Sequence, residues 1–124
     1  MLLEAELTSK VIGAAIEVHK RLGSGLLESA YHRCLCIELS KRGLDFKSQP
    51  PLPIVYDEHR VEAAYRPDLI VADSVIVELK TVSACAPVHQ AQILTYLRLS
   101  KIRVGLLMNF HAVPFPKGIK RFVL

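Results

Sequence analysis

The sequence predicts a mixed α/β sandwich, and three observations predict it. Apolar residues recur at helical spacing from Leu7 to Arg42. After Gly43 the period shortens to that of strands, and residues 66–71 and 75–80 are aliphatic on both faces. From Pro87 the helical period returns, followed by another aliphatic run, "VGLLM", at 104–108.

Each element follows from local chemistry. Leu7, Val11, Ala14, Ala15, Val18 and Leu22 form one face of a first helix, with Lys10, Glu17, Lys20 and Arg21 on the other side. "GSG" at 23–25 ends it, because glycine is favoured just past a helix end, and Ser24 or Gly25 is placed to cap the next. The second helix is expected from about Leu26 to Arg42, with Leu27, Tyr31, Cys34, Leu35 and Leu39 along its apolar stripe. "QPPLP" at 49–53 cannot sit inside a helix, so the segments around Phe46, 53–56 and 61–65 read as a meander of short strands, with "DEH" at 57–59 as a turn. Residues 66–71 and 75–80, joined by "ADS", read as the buried sheet centre. The third helix runs from Pro87 to about Ser100, turning inward either Val88, Ala91, Leu94 and Leu97 or Ile93, Leu97 and Leu99. A buried strand at 104–108 and a short edge strand in the tail "KGIKRFVL" complete the chain.

Composition bounds the function. With 124 residues, 51% hydrophobic and 23% charged, the expectation is one soluble domain over residues 1–124. No apolar run approaches the roughly 18 residues that a membrane-spanning helix needs. "MLLEAELTSK" lacks the basic and long apolar regions of a secretory signal, so the expected location is cytoplasmic. Cys34, Cys36 and Cys85 have neither the number nor the spacing of a disulfide framework or thiolate zinc site, and read as buried free thiols. A net charge of +4 permits an anionic partner such as nucleic acid, although many basic proteins bind none; Arg66, Lys101, Arg103, Lys117, Lys120 and Arg121 are candidate phosphate contacts, and most of them read equally as ordinary solvated charges. No G-x-x-x-x-G-K-[ST] loop occurs, which argues against nucleotide hydrolysis.

The chemistry is concentrated in "RPDLIVADSVIVELK", residues 66–80. Alternate side chains of a strand share a face, so Glu78 and Lys80 point the same way. If the hairpin turns about Asp73, Asp68 and Glu78 become cross-strand neighbours. Two buried carboxylates side by side repel unless a proton, a cation or a salt bridge compensates. Mg²⁺ prefers such hard oxygen ligands, whereas Lys80 paired with Glu78 or Asp68 is the structural alternative. Gln92 and Tyr96, four apart, share a face of the third helix with His89; the first two otherwise read as a sheet-facing polar pair satisfied by backbone groups, and His89 as a capping or solvent-facing residue. Glu28, three after Gly25, either bonds back to the helix N-cap or reaches a metal on the adjacent sheet.

Gly25, Glu28 and Tyr31 match the motif for which the GxxExxY proteins are named, and from about Val11 to Phe110 the chain resembles that family within the PD-(D/E)xK nuclease superfamily. "RPDLIVADSVIVELK" resembles the superfamily motif, and "QILTYL" supplies the Q-x-x-x-Y of the group that includes phage-type exonucleases and helicase-associated nucleases. The resemblance implies an αβββαβ, restriction-endonuclease-like core with a mixed central sheet flanked by helices. It implies a catalytic set of Glu28, Asp68, Glu78, Lys80, Gln92 and Tyr96. It further implies Mg²⁺ or Mn²⁺ held by Asp68, Glu78, the main-chain carbonyl of Leu79 and Glu28. In that reading Lys80 orients the attacking water or stabilises phosphoryl charge, Gln92 positions Lys80 or the phosphate, and Tyr96 supports it or touches the strand. The implied reaction is hydrolysis of nucleic acid, DNA foremost, to leave 5′-phosphates. A domain this small has little surface for reading bases, so any specificity calls for a homodimer or a protein partner. Two other readings stay open: a catalytically silent binding module on the nuclease fold, and a structural domain whose Glu78 and Lys80 pair internally.

Overall fold

The computed structural model describes residues 3–124, save the side chains of 63 and 64. Two helices come first, α1 (Ala5–Leu22) and α2 (Glu28–Lys41). The strands β1 (Phe46–Ser48), β2 (Leu52–Tyr56), β3 (His59–Tyr65), β4 (Leu69–Val71) and β5 (Val75–Lys80) follow. Then come α3 (Pro87–Ser100), β6 (Val104–Asn109), a 3₁₀ turn (Phe115–Gly118) and β7 (Ile119–Val123).

Five strands form one sheet in the order β1-β4-β5-β6-β7. β1, β4 and β5 are successively antiparallel, α3 crosses over, and β6 returns parallel to β5. The run α2–β1–β4–β5–α3–β6 is therefore the expected αβββαβ order, with the hairpin β2–β3 inserted after its first strand. β7 covers the far edge antiparallel to β6, as the tail predicted.

Alternation along the strands builds a core on each face of the sheet. Val75, Val77 and Leu79 point to α1 and α2, where they meet Val11, Ala15, Tyr31 and Leu35. Ile70, Ile76 and Leu107 point to α3, where they meet Ile93, Tyr96 and Leu97. Each fully buried aliphatic side chain contributes about 1.5–3 kcal/mol, so the doubly covered β5 is the most firmly held strand. α3 approaches closely because β6 carries Gly105, where a Cβ would stand 2.9 Å from Ile93 Cδ1.

Several local expectations are corrected. The meander does not continue through β2 and β3: these pair only with each other, whereas β1 lies against β4. Gln49 takes a left-handed φ of 51°, and Pro50 and Pro51 cannot donate to a ladder, so the chain leaves the sheet there. α2 begins at Glu28 rather than Leu26, and its N-cap is neither Ser24 nor Gly25 but Leu27, which offers no side-chain cap and is 77% exposed. The strand expected over 66–71 is regular only from Leu69. On α3 the stripe of Ile93 and Leu97 is the buried one, joined by Tyr96, while Val88 stands 66% exposed. The three cysteines are free, as expected, but half-buried rather than buried. Among the described residues no helix is long and apolar enough to cross a membrane.

Candidate nuclease site

The turn between β4 and β5 sets the geometry. Ala72 and Asp73 both adopt left-handed φ values, 50° and 53°, and Ser74 donates its N–H to the Val71 carbonyl at 2.9 Å, a tight hairpin turn. The Ala72 N–H is held by the Asp45 carbonyl at 2.8 Å, which offsets the cost of a left-handed alanine. The register that follows, Leu69 with Val77 and Val71 with Val75, is symmetric about Asp73 and brings Asp68 opposite Glu78.

The two carboxylates interlock with the opposing backbone. Asp68 N–H donates to Glu78 Oε1 at 2.6 Å, and Leu79 N–H donates to Asp68 Oδ2 at 2.8 Å. One oxygen of each acid is thereby fixed, while Asp68 Oδ1 and Glu78 Oε2 accept no hydrogen bond among the described residues. Glu78 is only 3% exposed, and Asp68 is half-buried.

Burial decides their protonation. Glu78 is pushed up to about 8, first by desolvation and then by the Asp68 charge, with the Asp68 amide and Lys80 working against the rise. Asp68 is also raised, by burial above all, although the Leu79 amide, His32 and Lys80 oppose it. The site thus has a deficit of positive charge that a proton or a cation makes good. Its donor chemistry, hard oxygens on desolvated acids, fits a divalent ion such as Mg²⁺. Among the described residues, however, no three His, Cys, Asp or Glu side chains form a ready ligand cluster.

Lys80 does not make the structural ion pair that the spacing allowed: no carboxylate lies within 4.0 Å of Nζ among the described salt bridges. Instead Lys80 Nζ donates to Gln92 Oε1 at 3.0 Å, and Gln92 Nε2 donates to the Tyr96 hydroxyl at 3.1 Å. The i, i+4 spacing on α3 places Gln92 and Tyr96 in line, so a neutral amide relays the orientation of the tyrosine to the ammonium. Tyr96 is 5% exposed and its hydroxyl is raised, first by burial and then by the Glu78 charge. His89 has the capping role: its Nδ1 accepts the Ala86 N–H at 3.0 Å at the start of α3.

Glu28 approaches from the first turn of α2. It makes no capping hydrogen bond, against one expectation, and its side chain is exposed. Its carboxyl is raised by partial desolvation and then by the charge of Asp68, with Lys80 working against the rise. The loop before it is anchored by Tyr31, which is fully buried and stacks on Phe110 with centroids 4.6 Å apart. The Tyr31 hydroxyl donates to the Gly23 carbonyl at 2.5 Å and accepts the Leu26 N–H at 3.1 Å. Gly25 between them has a φ of 104°, which a side chain would strain. The glycine, glutamate and tyrosine of the G-x-x-E-x-x-Y run are thus a turn, a presented acid and the anchor that holds both. Tyr31→Phe takes the hydroxyl partner from the partly buried Gly23 carbonyl and Leu26 amide, and is expected to cost about 1 kcal/mol in a urea titration.

Sequence reasoning missed two neighbours. His32, one helical turn after Glu28, shares a 2.9 Å hydrogen bond with Ser48 Oγ and acts electrostatically on Asp68; its i+4 spacing from Glu28 was the available signal. Asn109, 4% exposed, clamps the segment after β5 by donating to the Val82 carbonyl at 2.8 Å and accepting the Val82 N–H at 3.2 Å; no local pattern announced this. Of the basic residues, Arg121 is engaged with Thr8 Oγ1 at 3.2 Å and with the Leu3 carbonyl, and Arg103 with the Leu124 carbonyl at 3.2 Å. Arg66 is exposed two residues before Asp68.

Comparison with known proteins adds one finding. A search of curated proteins and a search of solved structures each return no match. A family model described as the PD-(D/E)XK nuclease superfamily matches residues 5–122, which includes both helices before the sheet and all but the last residue of its edge strand β7. The interlocked acids on β4 and β5, the neighbouring lysine and the αβββαβ order are in accord with that match, and the chain belongs to the PD-(D/E)XK nuclease superfamily.

Proposed function

We propose that the protein is a divalent-metal-dependent nuclease of the GxxExxY group, hydrolysing phosphodiester bonds of nucleic acid, DNA foremost, to leave 5′-phosphates. The observation that carries this reading is the pair Asp68 and Glu78, buried together beside a lysine that pairs with neither. A structural ion pair would have neutralised the acids; here a proton or a cation must do so, and the cation is the reading proposed.

In this reading Asp68 and Glu78, with the Leu79 carbonyl, hold Mg²⁺ or Mn²⁺, and Glu28 contributes directly or through water. Bound there, the cation supplies Lewis-acid polarisation of the phosphodiester and a lower pKa for the attacking water. Lys80 keeps donors to spare after its bond to Gln92, and directs them at the attacking water or at charge developing on the phosphoryl oxygens. Gln92 fixes the direction of Nζ, and Tyr96 fixes Gln92. The whole constellation lies within a single cytoplasmic domain in this proposal.

The test is incubation of labelled single- and double-stranded DNA and RNA with the protein in Mg²⁺, Mn²⁺ or chelator. Cleavage that requires the metal and leaves 5′-phosphate ends is expected. Absence of cleavage on every polymer, together with no calorimetric signal for either metal, would overturn the enzyme reading and leave a binding module on a nuclease fold.

A further inference from the structure

One groove beside the acids has a composition that phosphodiester hydrolysis does not require. It encloses about 430 Å³ between the β2–β3 hairpin and α3, and is lined by Tyr65, Lys80, Val88, Ala91, Gln92 and Tyr96, among others. Its one lysine or arginine is Lys80. The rest of the wall sets Tyr65, Tyr96, Val88 and Ala91 beside the uncharged amide and hydroxyl of Gln92 and Thr95 and the ring of His89. Val88 and Ala91 are exposed members of α3, and Tyr65 is 39% exposed at the end of β3. Leu52, the cross-strand partner of Tyr65, packs into the core beneath α3, so the hairpin is held there by its base.

A groove that only tracked a phosphate backbone would be lined with cations. A largely uncharged, partly aromatic groove instead suits the faces of a base, since stacking on an aromatic ring binds any base irrespective of sequence. The occupant is constrained by Lys80 and Gln92, which belong both to this wall and to the proposed reaction centre. Whatever fills the groove therefore adjoins the phosphate that Lys80 contacts. In an intact duplex the bases are stacked upon each other, and presenting one to the groove requires unstacking it.

We propose, on the basis of the nuclease reading above, that this groove receives an unpaired base next to the scissile phosphate, with Tyr65 as its stacking face, and that the preferred substrate is single-stranded or locally unpaired nucleic acid. Tyr65 is then a specificity-determining residue outside the six-residue constellation.

The test separates binding from cleavage. Anisotropy of labelled homopolymeric oligonucleotides, in chelator, compares single strand, duplex and a single strand with abasic sites for the wild type, Tyr65→Ala and Tyr65→Trp; cleavage in Mn²⁺ is followed in parallel. Expected is tighter binding of single strand than duplex, a loss of about tenfold in single-strand affinity for Tyr65→Ala, and retention in Tyr65→Trp. Abasic strands should lose affinity for the wild type and little more for Tyr65→Ala. Wild-type preference for duplex, or a Tyr65→Ala variant that binds single and double strands as the wild type does, overturns the groove proposal. If cleavage of duplex persists in that case, the nuclease reading stands without it. If nothing is cleaved but the binding pattern holds, the nuclease reading falls and the groove remains as a strand-binding site. Neither binding nor cleavage overturns both.

Discussion

Lys80→Ala is expected to lower the rate of metal-dependent cleavage by about 10²–10³-fold, the loss typical of removing one preorganised donor from a site where charge develops. The lysine is singled out by its partners. Its Nζ is held by a neutral amide at 3.0 Å and not by a carboxylate, so its charge is not spent on a structural pair. Metal binding should survive the substitution, because Asp68 and Glu78 are oriented by backbone amides that the variant leaves intact. Calorimetry with Mn²⁺ beside single-turnover cleavage separates the two effects. Gln92→Ala should act in the same direction and less strongly, about tenfold, as expected of a group that orients another. Undiminished cleavage by Lys80→Ala would remove the lysine from the mechanism.

Glu78→Gln is expected to weaken the pH dependence of stability in the metal-free protein while abolishing its stabilisation by metal. The sign follows from burial. Glu78 is pushed up to about 8 in the fold, whereas in the unfolded chain a glutamate titrates near 4.3. Between those values the folded protein retains a proton that the unfolded chain has released, so stability falls as pH rises through that window. The loss is complete once the folded site ionises above about 8. Glutamine carries no such penalty, and above that pH the variant should be more stable than wild type in chelator, on the order of 2 kcal/mol, given about 1.4 kcal/mol per pKa unit and structural relaxation around the buried charge. Adding Mg²⁺ should stabilise the wild type and leave Glu78→Gln unmoved, and binding near neutral pH should release protons, since the cation displaces them from the acids. Asp68→Asn should behave likewise, its carboxyl being raised for the same first reason. Thermal melts across pH, with and without metal, and calorimetry in buffers of different ionisation enthalpy provide the readout. A wild type that gains stability from pH 6 to 9 in chelator would contradict the burial argument.

The amino-acid order by itself determined the centre of this protein. Aliphatic residues on both faces of 75–80 demanded a strand covered on both sides, and a turn about Asp73 fixed its pairing, since a slip of one residue would exchange the faces of every side chain. Asp68 therefore had to meet Glu78, and Glu78 had to share a face with Lys80. The i, i+4 step from Gln92 to Tyr96 was equally local. Both features rest on contacts whose geometry is set by spacing along one short segment.

What only the tertiary structure decided are meetings between distant segments. The spacing D-x₉-E-x-K is compatible with Lys80 paired to an acid or free of it; α3 packed close over Gly105 brings Gln92 within reach and settles the matter. Helical period could not choose between the Val88 and Ile93 stripes of α3, because both are apolar; the sheet takes Ile93, and Val88 is left to line a groove. Nor could alternation reveal that β2 and β3 leave the sheet, since a strand's pattern records that it has a covered face and not which element covers it. Spacing encodes what a residue faces along its own element; which partner arrives there is settled by the packing of the whole chain.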